Sequence, residues 1–353
     1  MKQHIAILAT LAGLIPVVVQ GPAGTSDTAD APQVTVTRLS QNPLITVETS
    51  ASLGDNVNGP TVIRVPDWIE HPLGRYYMYF GHHMGRFVRM AYADAITGPW
   101  KIYEPGALHV RDTAFFRPGP DSAPPRYVNH VASPEIFVDT ARKRLVLWVH
   151  GWWTNGEGWP SASADAWMAQ KGYDQFTQVA ESSDGIHFEA REAITKQMYL
   201  RVFQYDGYFY GLSEPGLLSR SVDPLASFEL GPNPFRDGPY ERRVRHVSFV
   251  ARGNRLHVFF TAVGDAPERV LVSTIDLTPD WTSWRATPPV NVLLPETAYE
   301  CADLPIEPSR GGAVTRRVRQ IRDPFVFEES GEMFLFYSIC GEQGIAAAEV
   351  TLR

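Results

Sequence analysis

The sequence predicts an all-β fold, a five-bladed β-propeller whose blades each contain four antiparallel strands. Three observations lead to this fold: a five-fold repeat of strand-like segments, turn residues between them, and little that reads as a long helix. The second strand of each repeat is the clearest, because aromatic and β-branched residues favour strands. These runs lie at 75–81, 144–151, 207–211, 255–261 and 332–338.

Each aromatic run is preceded by another strand-like segment and followed by a third. The preceding segments begin at Asn58, His130, Met198, Arg245 and Arg322. A fourth strand is predicted at 98–103, 186–190 and 281–286. Four antiparallel strands repeated five times describe the blades of a propeller.

The last repeat is one strand short, because the chain ends at Arg353 just after a third strand. Residues 34–37 and 44–48 both alternate as strands do, so one of these segments is expected to complete the last blade. Closing the ring in this way would remove an exposed sheet edge. The spacing between blades is uneven, which predicts long loops on one face, and the best helix candidate, 161–172, lies in one of them.

The N-terminus predicts an export signal and short linker over residues 1–31, followed by a single propeller domain over 32–353. Lys2 supplies a positive start, residues 5–19 are apolar, and small and polar residues follow to position 31. The apolar run is too short for a comfortable membrane span. We expect a secreted or periplasmic protein with no other membrane segment; the alternative is an uncleaved anchor.

The two cysteines, Cys301 and Cys340, are consistent with one disulfide in an exported protein. Two buried thiols are the alternative, because bridging depends on positions in space.

The composition excludes some partners and favours others. A net charge of −7 argues against nucleic acid, whose phosphates require a basic surface. The chain is 12% aromatic, with 9 Trp and 14 Tyr, which suits both packed sheets and sugar-binding clefts. Oligomeric state is left open by the sequence.

The innermost strand of each blade lines the propeller axis, so its first residues are expected to face a central pocket. The residues placed there are Asn58, His130, Glu135, Arg201, His246, Arg322 and Asp323. Asp323 and Glu135 are the candidate acid/base pair, since inverting hydrolysis of a glycoside needs two carboxyl groups about 6.5–9.5 Å apart. A salt bridge or turn cap beside Arg322 is the structural alternative for Asp323.

His130 and His246 occupy similar positions in two blades and are candidates for proton transfer near neutral pH. The alternative is that they hold the strand starts through hydrogen bonds. The sequence contains no His-x-His or His-Glu-x-x-His spacing, so no metal site is predicted.

Two loop groups and three arginines are candidate substrate contacts. His82, His83 and Arg86 follow the second strand of blade one, and Trp152 and Trp153 follow that of blade two; packing between loops is the alternative. Guanidinium groups bind carboxylate or sulfate in a bidentate manner, which predicts an anionic sugar. The arginines in question are Arg201, Arg245 and Arg322, and neutralisation of neighbouring carboxylates is the alternative for them.

Four motifs resemble the five-bladed propeller glycoside hydrolases: the arabinanase and xylosidase type, the invertase-like family and the neoagarooligosaccharide hydrolases. The motifs are SPEIFVD (133–139), RDPFVFEESGEMFLFYS (322–338), AITGPW (95–100) and SSDGIHFE (182–189). The resemblance implies three carboxylates at the inner strand ends: a base, an acid and a group that tunes the acid. It allows for a structural Ca²⁺ on the axis and implies no other cofactor.

The chain departs from that pattern in two blades. Asn58 stands where the resemblance implies an Asp in blade one. Blade three begins without a Glu, carrying Arg201, and Glu214 comes one strand later. His130 or His246 is expected to replace the missing third carboxylate.

The resulting prediction is a carbohydrate-active enzyme, a glycoside hydrolase acting on an oligo- or polysaccharide in the central funnel. One alternative is a polysaccharide lyase that uses His and Arg on a uronate. The other is a propeller that binds glycan without catalysis, since fold does not determine function.

Overall fold

The computed structural model describes residues 32–117, 129–154 and 174–353, which form five antiparallel sheets. Blade one contains β3 (Asn58–Arg64), β4 (Tyr76–Gly81), β5 (Arg89–Ala93) and β6 (Lys101–Tyr103). Blade two contains β7 (Ala132–Asp139), β8 (Arg144–Trp153), β9 (Asp174–Ser182) and β10 (Glu189–Thr195). Blade three contains β11 (Met198–Tyr205), β12 (Tyr208–Glu214), β13 (Leu217–Ser221) and β14 (Glu229–Leu230).

Blade four contains β15 (Val244–Arg252), β16 (Arg255–Ala262), β17 (Val270–Asp276) and β18 (Val290–Leu293). Blade five contains β19 (Arg322–Glu329), β20 (Glu332–Ile339) and β21 (Gly344–Leu352), joined by β1 (Val34–Arg38) and β2 (Ile45–Thr46). The predicted five-bladed propeller is therefore confirmed.

Blade five is closed by the N-terminal strand, as predicted. β1 pairs along β21 from Val34 opposite Leu352 to Arg38 opposite Ala348. The second candidate segment also pairs with this strand, through Ile45 opposite Ile345. Both early segments thus cover the backbone donors and acceptors that β21 would otherwise expose.

The second strands are buried on both faces because each lies between two neighbouring blades. In β4, Tyr77 and Tyr79 belong to the core shared with blade two, whereas Met78 and Phe80 belong to the core shared with blade five. Alternate side chains of a strand point to opposite faces, so a continuous apolar run fills both interfaces. This explains why these runs are the strongest repeat in the sequence.

Every inner strand has a register shift within its first few residues. The shift is a bulge, which bends a strand and re-aims a side chain. In four blades the residue at the bulge has a positive φ: Gly59 at 61°, Ser133 at 45°, Tyr199 at 54° and Asp323 at 53°. A bulky residue such as Tyr199 in this region is uncommon and is a mark of functional sites.

The fourth strand predicted at 281–286 is wrong. Trp281–Ser283 is a single 3₁₀ turn, and the fourth strand of blade four is β18. The Asp280 side chain accepts a hydrogen bond from the Thr282 backbone N–H at 3.0 Å and starts the turn. Trp281 and Trp284 then bury their rings in the core between blades three and four.

Helical structure among the described residues is limited to single 3₁₀ turns, and none of it is long and apolar enough to cross a membrane. The export signal predicted at 1–31 and the helix predicted at 161–172 lie outside the described residues.

Cys301 and Cys340 form a disulfide, with their Cα atoms 5.2 Å apart. This decides between the two alternatives that the sequence left open. Cys340 follows β20, and Cys301 ends a 3₁₀ turn, so the bond ties the long segment between blades four and five to blade five.

Replacing both cysteines by alanine is expected to lower the free energy of unfolding by about 2–4 kcal/mol, because the bridged residues are 39 apart in sequence. Urea unfolding of both proteins, with and without dithiothreitol, measures the difference. Reductant should destabilise the wild type and leave the double variant unchanged. An oxidised wild type with the same midpoint as the double variant would contradict the expectation.

Candidate active site

The candidate site is built from two kinds of position at one end of the blades. Because adjacent strands are antiparallel, the start of each inner strand lies beside the turn between the second and third strands. Asn58 pairs with Gly81, and Met198 pairs with Glu214, each at such a junction. Residues of these turns therefore meet the inner-strand residues that the sequence placed at the axis.

Asp323 is a buried, ionised carboxylate that reaches across to blade one. Its Oδ2 accepts hydrogen bonds from the Ser338 hydroxyl at 2.7 Å and from the Gly59 backbone N–H at 3.2 Å, and His246 Nδ1 contacts its Oδ1. Burial alone would raise the pKa of Asp323, but His246 and Arg322 outweigh it and lower the pKa. The Asp323 carboxylate of blade five thus lies at the start of blade one, beside Gly59, which has no side chain.

Asn58 does not take the place of that carboxylate. Its side-chain amide donates to Asn56 Oδ1 at 2.8 Å and to Glu342 Oε2 at 3.2 Å, and the residue is buried. It links blade one to the turn that follows β20.

Glu135 lies at the axis and is held by the protein on both oxygens. Arg201 Nη1 donates to its Oε2 at 2.7 Å, and the Val202 backbone N–H donates to its Oε1 at 3.4 Å. Burial raises the pKa of Glu135, and Arg201 opposes that shift. This carboxyl group is thereby fixed in position between blades two and three.

Glu214 is a carboxyl group that faces open space. It ends β12 and lines a cavity of about 680 Å³ together with Met198, Tyr199 and Gly312. Its side chain makes no hydrogen bond or ion pair with another residue in the described parts of the chain. Burial raises the pKa of Glu214, against the opposing effect of Arg245. A carboxyl group of this kind is suited to donate a proton to a ligand.

Tyr199 lies at the centre of a histidine cluster. Its ring centroid is 4.3 Å from that of His150 and 4.5 Å from that of His246. Its hydroxyl is 3.0 Å from His83 Nε2, and His83 Nδ1 is 3.1 Å from Glu342 Oε2. Burial raises the pKa of Tyr199 well above its usual value, so the group is a neutral phenol.

The direction of the His83–Glu342 hydrogen bond follows from the charge of Glu342. Burial opposes its ionisation, but His83 and Arg322 outweigh burial and hold the pKa of Glu342 well below its usual value. An ionised carboxylate only accepts, so His83 Nδ1 donates to Glu342. The second ring nitrogen of His83, Nε2, shares the other hydrogen bond with the Tyr199 hydroxyl.

His130 and His150 are neutral imidazoles. Burial lowers the pKa of His130 to about 3 and the pKa of His150 well below its usual value. Their rings are 5.9 Å apart and are perpendicular. The proton-transfer role predicted for His130 assumed an ordinary imidazole pKa, so the environment argues against it and favours hydrogen bonding by a neutral ring.

The three predicted substrate arginines face protein carboxylates. Arg201 pairs with Glu135, and Arg322 pairs with Glu268 at 2.7 Å and with Glu342 at 2.8 Å. Arg245 lies 3.4 Å from Glu268, and its side chain is fully buried, as is that of Arg322. The neutralisation alternative describes them better, and the anionic substrate inferred from these arginines loses its support.

The loop candidates surround this centre. His82 pairs with Asp55 at 3.0 Å, and His83 joins the Tyr199 chain described above. Trp152 is 8% exposed, and the Trp153 ring packs on Phe176 at 5.1 Å, so both contribute to packing. The Arg86 carbonyl accepts the Val110 N–H, which ties two loops together. Substrate contact by these residues stays a prediction.

Four residues of the centre were missed as site candidates from the sequence: Tyr199, Glu214, Glu268 and Glu342. The three glutamates share one position in the repeat, just before the third strand of blades three, four and five. His82 and His83 occupy the same turn in blade one. The signal for the glutamates was therefore present in the repeat, at its second turn.

No group of three or more His, Cys, Asp or Glu side chains in the described ranges is arranged to hold a metal ion.

Comparison with known proteins identifies one relative by sequence and several enzymes with a similar fold. No protein-family model matches it. It is 32% identical over 347 residues to the "Uncharacterized protein R118" of Acanthamoeba polyphaga mimivirus, covering 91% of this chain and 92% of that protein.

Solved structures with the same fold include GH43 enzymes. CoXyl43, a GH43 β-xylosidase/α-arabinofuranosidase from a compost microbial metagenome, superposes with a TM-score of 0.54 at 13% identity, over 90% of this chain and 95% of that chain. The GH43 protein BlXynB of Bacillus licheniformis superposes with a TM-score of 0.50 at 11% identity, over 90% of this chain. The chain spans about half (54%) of BlXynB. The chain thus belongs to the same family as the viral protein R118, and it has the five-bladed fold of the GH43 glycoside hydrolases.

Proposed function

We propose that this protein is a glycoside hydrolase that cleaves an oligo- or polysaccharide at the axial end of the propeller. The observation that carries the proposal is the position of two carboxyl groups, Asp323 at the start of blade one and Glu214 at the start of blade three. Their pKa values are shifted in opposite directions. The pKa of Asp323 is lowered and that of Glu214 is raised. Carboxyl groups driven apart in this way are the usual acid/base pair of glycosidases.

The two groups supply what the inner strands of blades one and three lack. Asp323 comes from blade five and hydrogen-bonds to Gly59 at the start of blade one. Glu214 comes from β12 and pairs with Met198 at the start of blade three. Together with Glu135, carboxyl groups therefore lie at the starts of blades one, two and three. Glu135 comes from the inner strand of the blade at whose start it lies, whereas Asp323 comes from the inner strand of blade five and Glu214 from the second strand of blade three.

In the proposed reaction Asp323 accepts a proton from water as the water oxygen bonds to the anomeric carbon. Glu214 gives its proton to the departing glycosidic oxygen. Glu135, held by Arg201, tunes the charge around the acid. In this assignment Glu214 replaces Glu135 in the acid/base pair predicted from the sequence, because Glu214 lines the cavity and its side chain makes no hydrogen bond with a described residue.

Export belongs to the same proposal. The signal predicted at 1–31 lies outside the described residues, and the Cys301–Cys340 disulfide supports an oxidising compartment.

A product screen tests the reaction class. Purified protein is incubated with a panel of neutral and acidic polysaccharides, and the products are read by mass spectrometry. Hydrolysis adds the mass of one water to each product pair, whereas a lyase gives an unsaturated uronate that absorbs in the ultraviolet. A propeller that only binds glycan releases no product. An unsaturated uronate or the absence of any product would overturn the proposal.

Asp323→Asn is expected to lower kcat by a factor of about 10²–10⁴ on the substrate found in that screen, because the base can no longer accept a proton. Asp276→Asn, at the exposed end of β17, serves as the matched control and should keep full activity. Full turnover by Asp323→Asn would show that the base lies elsewhere.

A further inference from the structure

A basic loop adjoins the cavity that Glu214 lines, which we call the axial cavity. The proposed chemistry does not use this loop. Between Glu307 and Gln320 the chain carries four arginines and one glutamate, in a protein with a net charge of −7. The loop lines a second cavity of about 460 Å³, whose wall includes Arg310, Thr315 and Arg316. Gly311 lines both this cavity and the one that Glu214 lines, so the two cavities share a wall residue.

The loop is fixed to the catalytic centre by a buried cation. Arg245 reaches from the axis and donates to the Arg310 carbonyl at 2.9 Å and to the Gly312 carbonyl at 2.7 Å. The Arg245 side chain is fully buried, so these contacts are shielded from water. The segment that carries Arg310 is therefore positioned by the same guanidinium that neutralises the axial glutamates.

Both ends of the loop are held as well. Near its start, the Ser309 N–H donates to the Asp265 carbonyl at 2.9 Å. Near its end, the Val318 N–H donates to the Cys340 carbonyl at 3.3 Å, and Arg322 donates to the Gln320 side chain. The disulfide lies directly behind, with Arg317 Nε 3.3 Å from Cys301 Sγ. A loop that is already ordered loses little entropy when it binds a ligand.

The charged groups that face this cavity include guanidinium groups that can bind an added anion. The side chain of Arg310 is exposed and makes no hydrogen bond or ion pair with any residue that the structure describes. Arg316 pairs with Glu307, but their side chains are 68% and 36% exposed. An exposed ion pair contributes little free energy, so a ligand anion can compete for this guanidinium.

We propose that Arg310 and Arg316 form a subsite for an anionic ring substituent, a carboxylate or a sulfate, on the carbohydrate whose glycosidic bond lies at Glu214. A planar guanidinium binds either group through two parallel hydrogen bonds. The cavity volume lies within the range of ligand sites. The identity of the ligand as a carbohydrate rests on the proposed function. An anionic substrate is thus inferred again, but from the exposed Arg310 and Arg316 instead of the buried arginines at the axis.

Affinity electrophoresis of the full chain tests the subsite without requiring turnover. The gels contain polygalacturonate, carrageenan, arabinan or xylan, so that uronate, sulfate ester and neutral chains are compared. The variant is Arg310→Gln/Arg316→Gln. The control is Arg64→Gln/Arg75→Gln, which removes the same charge from a different cavity on blade one.

We expect the wild type to bind polygalacturonate or carrageenan more tightly than the neutral glycans. Tighter binding to polygalacturonate would identify the substituent as a carboxylate, and tighter binding to carrageenan would identify it as a sulfate. The loop variant should bind that glycan about 10- to 100-fold more weakly, the loss expected for charge-assisted hydrogen bonds. The control should bind as the wild type does. Equal losses in both double variants, or no loss in the loop variant, would overturn the subsite.

Product release in the same samples separates this inference from the proposed function. Arginine-dependent binding with no product from any glycan would sustain the subsite and overturn the hydrolase. Cleavage of neutral glycans alone, unaffected by Arg310→Gln/Arg316→Gln, would sustain the hydrolase and overturn the subsite.

Discussion

Glu214→Gln is expected to lower kcat by a factor of about 10²–10⁴ on a natural glycan, because the amide fills the same space but cannot give up a proton. Glu214 lines the axial cavity without a protein partner, so its carboxyl proton is available to a bound glycoside. The affinity for substrate should change little, which makes the loss one of turnover.

The pH profile should report the same group. Burial raises the pKa of Glu214, and the acid must be protonated to act, so kcat/KM should fall as pH rises through that raised pKa. Asp323 must be ionised, and its pKa is lowered, so the acid limb should lie well below the alkaline limb. In Glu214→Gln the alkaline limb should disappear while the acid limb stays.

Leaving-group dependence provides the sharpest control. A dinitrophenyl glycoside departs without protonation, so Glu214→Gln should lose far less activity on it than on a natural glycan. Glu229→Gln, on the exposed strand β14, should behave as the wild type on both substrates. If Glu135→Gln instead showed the selective loss, the acid would be Glu135, which the sequence placed in the acid/base pair with Asp323.

The fold could be predicted from the sequence because its signal is local. The second strand of each blade is buried on both sides, and its aromatic residues mark it without knowledge of its neighbours. The segment at 281–286 failed for an equally local reason. Its tryptophans resemble a strand, but the Asp280 cap starts a 3₁₀ turn that buries Trp281 and Trp284 differently.

The candidate site could be predicted only in part, because its charges combine across blades. The starts of the inner strands identified Asp323, Glu135 and the axial arginines. The partners of those arginines, Glu268 and Glu342, lie in turns whose approach to the axis depends on the folded propeller. Three arginines in an acidic chain therefore suggested a positive pocket, whereas the structure shows them matched by carboxylates.

Tyr199 illustrates a different limit. Nothing in MYLRV distinguishes it from an ordinary strand tyrosine, and the bulge that gives it a φ of 54° is visible only from the register shift in blade three. Its hydroxyl meets His83 of blade one, 116 residues away. A contact of this kind follows from closure of the ring, so sequence spacing does not reveal it.

Glu268→Gln is expected to lower the free energy of unfolding by about 3–5 kcal/mol, the cost of removing one partner from a buried ion pair. Glu268 accepts from Arg322 at 2.7 Å and lies 3.4 Å from Arg245, and all three side chains are fully buried. The substitution leaves two buried guanidinium groups with Glu342 as their remaining close carboxylate.

The loss should be large because this cluster joins blades. Arg245 and Glu268 belong to blade four, Arg322 belongs to blade five, and Glu342 continues the network to Asn56 and Asn58 in blade one. Asp276→Asn is the matched control, since Asp276 is 66% exposed and its pairing with Arg255 is worth at most about 1 kcal/mol. Urea unfolding of the two variants measures both effects on one scale.

The same variant tests whether the cluster also serves the carbohydrate site. Arg245 holds the carbonyls of Arg310 and Gly312, so loosening it should release the basic loop as well as destabilise the ring. We therefore expect Glu268→Gln to bind an anionic glycan more weakly at temperatures where the propeller is still folded, with Asp276→Asn unaffected. A loss of stability below about 1 kcal/mol would mean that Glu342 alone compensates both guanidinium groups, and the ring closure would then depend on packing rather than on this charge network.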